Sequence, residues 1–214
     1  MSMKHCTGNF QRLVAVVGIA FLLGGCVPAL EEVKSAKDLQ PNEVLLVGKV
    51  ELVPRLQKFE QQNLKGIGTG KFKGHFGLIF AAQKPTYKKG SESGTTYKQM
   101  DNYALVEPGK TFYVRYPKGK PVYYLGGLIY LSSDGGSLDS LKLPGGLSYV
   151  PGKSARAIYL GTIRYYRDDY NAITKVRLIN QLNEAVRDLR KETGGNIPVQ
   201  VVKPHKFRMR ALDF

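Results

Sequence analysis

The sequence predicts a mainly β fold, built as a β-sandwich with one helix near its C-terminus. Short runs of β-branched and aromatic residues recur along the chain, and stretches rich in glycine and proline separate them. A helical spacing of apolar residues is well supported over residues 178–193, where Gly194 and Gly195 supply the stop. Strands at this spacing, followed by a single helix, are typical of a sandwich or barrel.

The predicted strands follow one another with turns between them. Residues 43–54 begin apolar on both faces and therefore predict a central strand, which Pro54 ends. The further predicted strands are residues 75–82, 111–116, 122–132, 145–150, 157–166, 173–177 and 197–202. Together they favour an immunoglobulin-like or transthyretin-like sandwich.

The predicted helix has Ile179, Leu182, Val186 and Leu189 on one stripe, which indicates core packing. Glycines also recur inside three strand patterns, at Gly48, Gly126 and Gly161. A glycine within a strand usually marks a bulge or the close approach of another group. We therefore expect an aromatic side chain to lie across these strands.

The N-terminus carries Lys4 and Arg12 ahead of an apolar run over residues 13–23, the layout of a secretory signal. The run is shorter than the roughly 20 residues that span a membrane, so a buried helix or strand is the alternative. Its end, Leu23-Gly24-Gly25-Cys26, resembles the lipobox of bacterial lipoproteins. That resemblance implies a signal peptide over residues 1–25 and a diacylglycerol and palmitate anchor on Cys26. By the same resemblance, an aspartate after the cysteine favours inner-membrane retention, so Val27 is compatible with transfer to the outer membrane, where we expect the protein to face the periplasm.

The predicted domain organisation follows from removal of the signal peptide before Cys26. Residues 26–41 would be a lipidated tether, residues 42–204 the sandwich domain, and residues 205–214 a basic tail. Cys6 would leave with the signal and Cys26 would be acylated, so we expect no disulfide.

The charge is strongly positive. The formal net charge of +15 becomes +13 when Lys4 and Arg12 leave with the signal. In a cell envelope such a chain meets lipopolysaccharide phosphates and acidic wall polymers, so nucleic acid is not the expected partner. The candidate anion contacts lie in a loop over residues 83–102 and at the C-terminus: Lys84, Lys88, Lys89, Lys203, Lys206, Arg208 and Arg210. A solvated loop and a frayed terminus are the alternatives.

Residue types for catalysis are scarce, and we predict no enzyme, cofactor or metal. The glycines between Gly66 and Lys71 lack the spacing of a phosphate loop. The mature chain would keep two histidines, His75 and His205, too few for a zinc site. The Asp168-Asp169 pair could hold a cation, but with Arg164 and Arg167 nearby a turn cap or a surface salt link is expected instead.

Two hypotheses remain for function. Ten of the 13 tyrosines fall on or beside the strands and could form a protein-binding face, although half or more should be core or cross-strand residues. The segment Ala157-Ile158-Tyr159-Leu160-Gly161-Thr162-Ile163 resembles uncharacterised β-sandwich lipoproteins of Gram-negative bacteria. The first hypothesis is a non-catalytic accessory or structural component of an envelope assembly that docks a protein. The alternative is a binder of lipopolysaccharide or cell-wall glycan.

Overall fold

The computed structural model describes residues 30–58, 60, 76–85, 102–132 and 138–207. Several predicted features lie outside these residues: the signal peptide 1–25, Cys26, the glycine run 66–71, Lys88, Lys89, Arg208 and Arg210.

The described chain forms two five-stranded sheets. Sheet I has the order β4-β1-β7-β8, and β9 also pairs with β7; its strands are β1 (Glu43–Val53), β4 (Thr111–Pro117), β7 (Ala157–Arg167), β8 (Ile173–Ile179) and β9 (Val199–Val201). Sheet II has the order β10-β6-β5-β2-β3; its strands are β2 (Phe76–Ala81), β3 (Asn102–Val106), β5 (Val122–Ser132), β6 (Leu138–Tyr149) and β10 (His205–Lys206). β1 lies between antiparallel β4 and parallel β7, so its predicted central position is confirmed.

The main core lies between the two sheets. Leu46 and Ile158 from sheet I join Phe76 and Phe80 from sheet II in one cluster, and none of the four is more than 1% exposed. Burial of such side chains is the main favourable contribution to folding. The mainly β, sandwich-like fold is thereby confirmed.

Six of the ten tyrosines on or beside the predicted strands are buried: Tyr113, Tyr116, Tyr124, Tyr149, Tyr159 and Tyr165. The Tyr165 hydroxyl lies 2.8 Å from the Tyr124 hydroxyl and also donates to the Pro144 carbonyl. The Tyr149 hydroxyl donates to the Leu160 carbonyl at 2.7 Å. These bonds satisfy phenols in an apolar interior, where burial raises the pKa of all three tyrosines. The core role expected for half or more of the tyrosines is confirmed.

One α-helix, α1 (Leu182–Thr193), covers part of the outer face of sheet I in the described chain. Ala185 and Leu189 are buried against Val47 and Tyr159. Gly194 ends the helix in a left-handed conformation and donates its N–H to Arg190. The predicted start at residue 178 is wrong, because residues 178 and 179 belong to β8.

The segment before β1 packs on the fold instead of forming a free tether. Val33 is fully buried and Leu39 is 5% exposed, both against the outer face of sheet I. A short 3-10 helix, Ala36–Asp38, lies between them. Two apolar residues within the predicted tether 26–41 therefore contribute to the core, and residues 26–29 lie outside the described chain.

Glycines inside strands mark bulges and close contacts, as predicted. At Gly48 the pairing of β1 with β7 shifts register, and an added Cβ would lie 2.6 Å from the Phe112 ring. Gly161 lies opposite Gly48 and has φ +92°, a conformation that favours glycine. Gly126 belongs to β5 of sheet II. An added Cβ on Gly161 would meet the Leu178 side chain, so the aromatic contact at Gly48 does not extend to Gly161.

Arg167 and Asp168 organise the turn from β7 to β8. The Arg167 side chain is 4% exposed and forms a two-pronged ion pair with Glu60, whose side chain is 8% exposed. Its guanidinium also donates to the Pro54 and Arg55 carbonyls and to Asn171. The Asp168 carboxylate accepts two backbone N–H groups of the turn, so the predicted turn cap is confirmed.

Candidate functional site

The part of the sheet I outer face beyond α1 carries charged residues in rows across the strands. In one row Glu51 of β1 lies opposite Arg164 of β7, and Arg164 lies opposite Arg177 of β8. In the next row Tyr166 lies opposite Lys175. Opposite residues on a sheet project to the same face, so these side chains share one surface.

The inner end of this surface is an ion-pair network. Lys49 Nζ lies 3.0 Å from Glu184 Oε1 of α1 and 3.2 Å from Glu51 Oε1, while Arg164 Nη2 lies 2.7 Å from Glu51 Oε2. Burial opposes the charged form of Glu51, but hydrogen bonds from Arg164 and Lys49 outweigh it and lower the pKa of this carboxyl. Burial likewise opposes the Lys49 ammonium, yet its bonds to Glu184 and Glu51 raise the pKa of Lys49. These charges are neutralised within the chain and hold α1 on the sheet.

The outer end of the same surface differs, because its cations contact no carboxylate of the described part of the chain. Lys175 Nζ and Arg177 Cζ each lie 5.8 Å from the centre of the Tyr166 ring, which is a favourable cation–π distance. Both residues are exposed, and neither forms an ion pair with any residue that the structure describes. Two cations beside one aromatic ring can receive an anionic group.

The opposite side of β8 is apolar. Val176 and Leu178 alternate with the two cations and are 44% and 42% exposed. Their partners on β7 are Tyr165 and Ile163, which face the core. β8 thus exposes a row of cations on one face and a row of aliphatic side chains on the other. We call this seven-residue strand with its exposed side chains the basic edge.

The outer edge of β8 has no pairing strand in the described part of the chain. The opposite edge of sheet I is different: the Arg115 N–H of β4 donates to the Glu31 carbonyl at 3.1 Å, and the Val33 N–H donates to the Tyr113 carbonyl at 2.9 Å. An unpaired edge strand offers backbone donors and acceptors to another chain. The basic edge is therefore the candidate site.

Two open grooves of about 460 and 430 Å³ adjoin the ion-pair network. Acidic residues line the second groove, but Glu184 is paired with Lys49, Asp188 accepts a hydrogen bond from Thr111, and Glu107 is paired with Lys110. Within residues 30–58, 60, 76–85, 102–132 and 138–207, no group of three metal-ligating side chains is placed to hold an ion. These carboxylates act as surface partners of cations and hydroxyls.

Three of the anion contacts predicted from sequence, Lys84, Lys203 and Lys206, are among the described residues, and none of them belongs to β8. Lys84, Lys203 and Lys206 are exposed, and Lys206 pairs with Leu147 of β6 in sheet II. The terminus is not frayed at this point, because Phe207 donates to the Gly146 carbonyl and packs edge-on against Tyr123. Sequence reasoning missed Lys175 and Arg177, although their alternation with Val176 and Leu178 is the signal of a two-faced strand.

Comparison with known proteins adds no relative. No family model matches the chain, and neither any curated protein nor any solved structure matches it. No helix among the described residues has the length and apolar character needed to cross a membrane.

Proposed function

We propose that the chain is an outer-membrane lipoprotein, anchored through lipid on Cys26 and facing the periplasm, that binds a protein partner without catalysis. The observation that carries the partner-binding role is the basic edge, whose outer side pairs with no described strand and which has exposed aliphatic and cationic rows. The Leu23-Gly24-Gly25-Cys26 pattern supports the anchor. The proposal includes an immunoglobulin-like or transthyretin-like sandwich, which the core shared by the two sheets supports.

Other surfaces support this role less well. Most of the strand tyrosines are buried and cannot contact a partner. The edge of β4 is occupied by residues 31–33. On β8, by contrast, two aliphatic side chains remain more than 40% exposed, beside an outer edge that no strand of the described ranges pairs with. An exposed strand of this kind is a common template for strand addition by another protein.

Cross-linking in living cells tests the partner-binding role. A photo-reactive residue would replace Val176 in the full-length chain, and the matched control would replace Lys142, an exposed residue of β6 in sheet II. We expect a reproducible protein adduct from position 176 only. No adduct at 176, or equal adducts at both positions, would overturn the proposed docking surface.

Fractionation tests the anchor separately. Cys26→Ser should move the protein from the membrane fraction to the soluble fraction, because the thiol that carries the lipid is lost. Persistence of this variant in the membrane fraction would count against lipidation at Cys26.

A second candidate function is binding of lipopolysaccharide or wall glycan. Lys175 and Arg177, which pair with no carboxylate that the structure describes, and the net charge of +13 after signal removal favour it. Polyanion binding weakens as salt screens the charges. Sedimentation with each polymer at low salt should carry the protein into the pellet, and its absence from the pellet would exclude this candidate.

A further inference from the structure

β8 presents cations on one face and aliphatic side chains on the other to any strand that pairs with it. Lys175 and Arg177 project from the outer face of sheet I, beside Tyr166. Val176 projects from the other face and is 44% exposed. In an antiparallel pair, directly opposite side chains lie about 4.5–5.5 Å apart at Cβ and interact across the strands. The partner strand must therefore suit a cation, an aliphatic side chain and a second cation in alternation.

A second copy of this chain does not suit this pattern. Two β8 strands related by a two-fold axis at Val176 would place Lys175 opposite Arg177 twice. Moving the axis to Lys175 or to Arg177 would place that residue opposite its own copy. Like charges directly opposite one another destabilise a strand pair. The three registers that overlap the strand most are thus all disfavoured for self-association.

We infer that the basic edge binds an extended acidic segment of a partner protein by strand addition, with the pattern acidic, β-branched, acidic. This inference rests on the proposed function, since it specifies the partner of the same surface. The partner's two carboxylates lie opposite Arg177 and Lys175. Its β-branched residue lies opposite Val176 and covers apolar surface. Its backbone completes the hydrogen bonds along the outer edge of β8.

The local charges reinforce this choice. Arg164 lies opposite Arg177 on the β7 side, so β8 already has a cation on its inner flank. Glu51 neutralises Arg164 but forms no bond to Arg177. An acidic residue on the outer flank of β8 would give Arg177 a carboxylate, as Glu51 does for Arg164, whereas another cation there would be a like charge directly opposite Arg177.

Peptide binding to the full-length chain, purified in detergent, tests the inference. The probe is the fluorescent peptide Thr-Val-Glu-Val-Glu-Thr-Thr. The control, Thr-Val-Val-Glu-Glu-Thr-Thr, has the same composition and charge but sends its two carboxylates to opposite faces. We expect the probe to bind about tenfold more tightly than the control. Equal affinities would overturn strand addition and would instead indicate nonspecific attraction of anions, as expected for polymer binding.

Charge reversal tests the two cations directly. The double variant Lys175→Glu/Arg177→Glu should lose binding of the probe and gain binding of Thr-Val-Lys-Val-Lys-Thr-Thr. The control Lys203→Glu/Lys206→Glu makes the same change in net charge at exposed sites outside β8 and should keep the probe. The inference would be contradicted if the Lys175→Glu/Arg177→Glu variant kept the glutamate probe or failed to bind the lysine peptide. Circular dichroism would confirm that both double variants fold.

The inference and the proposed function fail in different ways. Suppose that position 176 yields an adduct in cells, but the chain does not prefer the probe peptide and the charge-reversed variant does not bind the lysine peptide. The partner then binds β8 without the acidic, β-branched, acidic pattern, and the inference is wrong. If the peptides behave as expected but position 176 yields no adduct, the edge has the inferred chemistry and the proposed docking role fails. Hydrogen exchange adds a direct criterion, because strand addition must slow exchange of β8 amides.

Discussion

Two edge strands of sheet I, β4 and β8, differ in what lies along their outer edges. Along β4, residues 31–33 supply backbone hydrogen bonds, and Val33 fills a fully buried position beside them. Along β8, no described segment pairs with the outer edge, and Val176 and Leu178 remain exposed. Both strands have a side toward the core, so the difference lies in what covers their outer edges.

Apolar residues adjoin both strands in sequence, so their presence alone does not decide whether the outer edge of a strand is covered. The segment before β1 buries Val33 and Leu39 on the sheet, and this burial offsets the conformational entropy lost when its backbone becomes ordered. The residues after β8 turn into α1 and pack over the face, where Ala185 and Leu189 are buried. Neither they nor any other described segment pairs with the outer edge of β8.

The largest expected effect concerns the turn at the base of the open edge. Arg167→Met removes the partner of buried Glu60 and the donor to two backbone carbonyls. An unpaired buried charge typically costs about 3–5 kcal/mol, so we expect a loss of unfolding free energy in this range. Urea denaturation followed by circular dichroism would measure it.

Arg164→Met is the matched control for that experiment. It removes an arginine that also pairs with a glutamate, but the Arg164 side chain is 31% exposed and Glu51 keeps Lys49 as a second partner. Water can solvate the remaining carboxylate, so the loss should be much smaller than for Arg167→Met. Equal losses from the two variants would show that the buried pair has no special role in holding the β7–β8 hairpin.

A valine-to-alanine substitution should lower the free energy of unfolding much more beside β4 than in β8. Val33→Ala removes two buried methyl groups from the covered edge, which costs about 2 kcal/mol. Val176→Ala removes the same groups from a side chain that is 44% exposed, and we expect a change within about 0.5 kcal/mol. Urea midpoints at constant slope give both values. A large loss at Val176 would mean that β8 packs more tightly than its exposure indicates.

Much of this fold could be predicted from local patterns. The bounds of the residue 122–132 strand are confirmed; β1, β4 and β7 differ from prediction by one residue at one end, and β2 by one residue at each end. β-Branched and aromatic runs that end at turns specify strands wherever the local signal is unbroken. The sequence predicts a strand over residues 173–177 but assigns residues 178 and 179, the last two of β8, to the helix, because Ile179 also fits the apolar stripe of the helix.

The missed strands depended on contacts that local patterns do not carry. In β6 the sequence Pro144-Gly145-Gly146 predicts a turn, yet these residues form a bulge inside the strand. An added Cβ on Gly145 would lie 2.2 Å from the Leu125 backbone, so the glycine permits close approach of β5. β3 is five residues long and forms by pairing with β2. The basic edge was missed for the same reason, because a sequence does not show which strand is left at an edge.

Acid should weaken the hairpin that supports the open edge. Hydrogen bonds from Arg167 lower the pKa of Glu60 below its ordinary value of 4.5, against the opposing effect of burial. A lowered folded-state pKa gives stability that is present above about pH 4.5 and is lost as the pH falls through the folded value. We expect the urea midpoint to fall over this acidic range. Glu60→Gln should lower the midpoint at pH 7 and flatten its acidic slope, and an unchanged slope would contradict this assignment.

The mildest comparison leaves the sequence unchanged and measures the exchange of backbone amides. The Arg115 N–H of β4 is bonded to Glu31, whereas the outward N–H groups of β8 have no partner strand in the described chain. Amides exchange when their hydrogen bonds open, so Arg115 should exchange more slowly than the outward set in β8. Exchange followed by nuclear magnetic resonance resolves the individual amides.

Val33→Ala sharpens this comparison, because it weakens the packing that holds residues 31–33 on β4. Arg115 should then exchange faster and approach the outward β8 amides, while exchange in β8 stays unchanged. If Arg115 already exchanges as fast as those amides in the unaltered protein, the covering segment opens freely in solution. The two edges would then be equally accessible to a partner strand, and only the side-chain pattern of β8 would remain to select it.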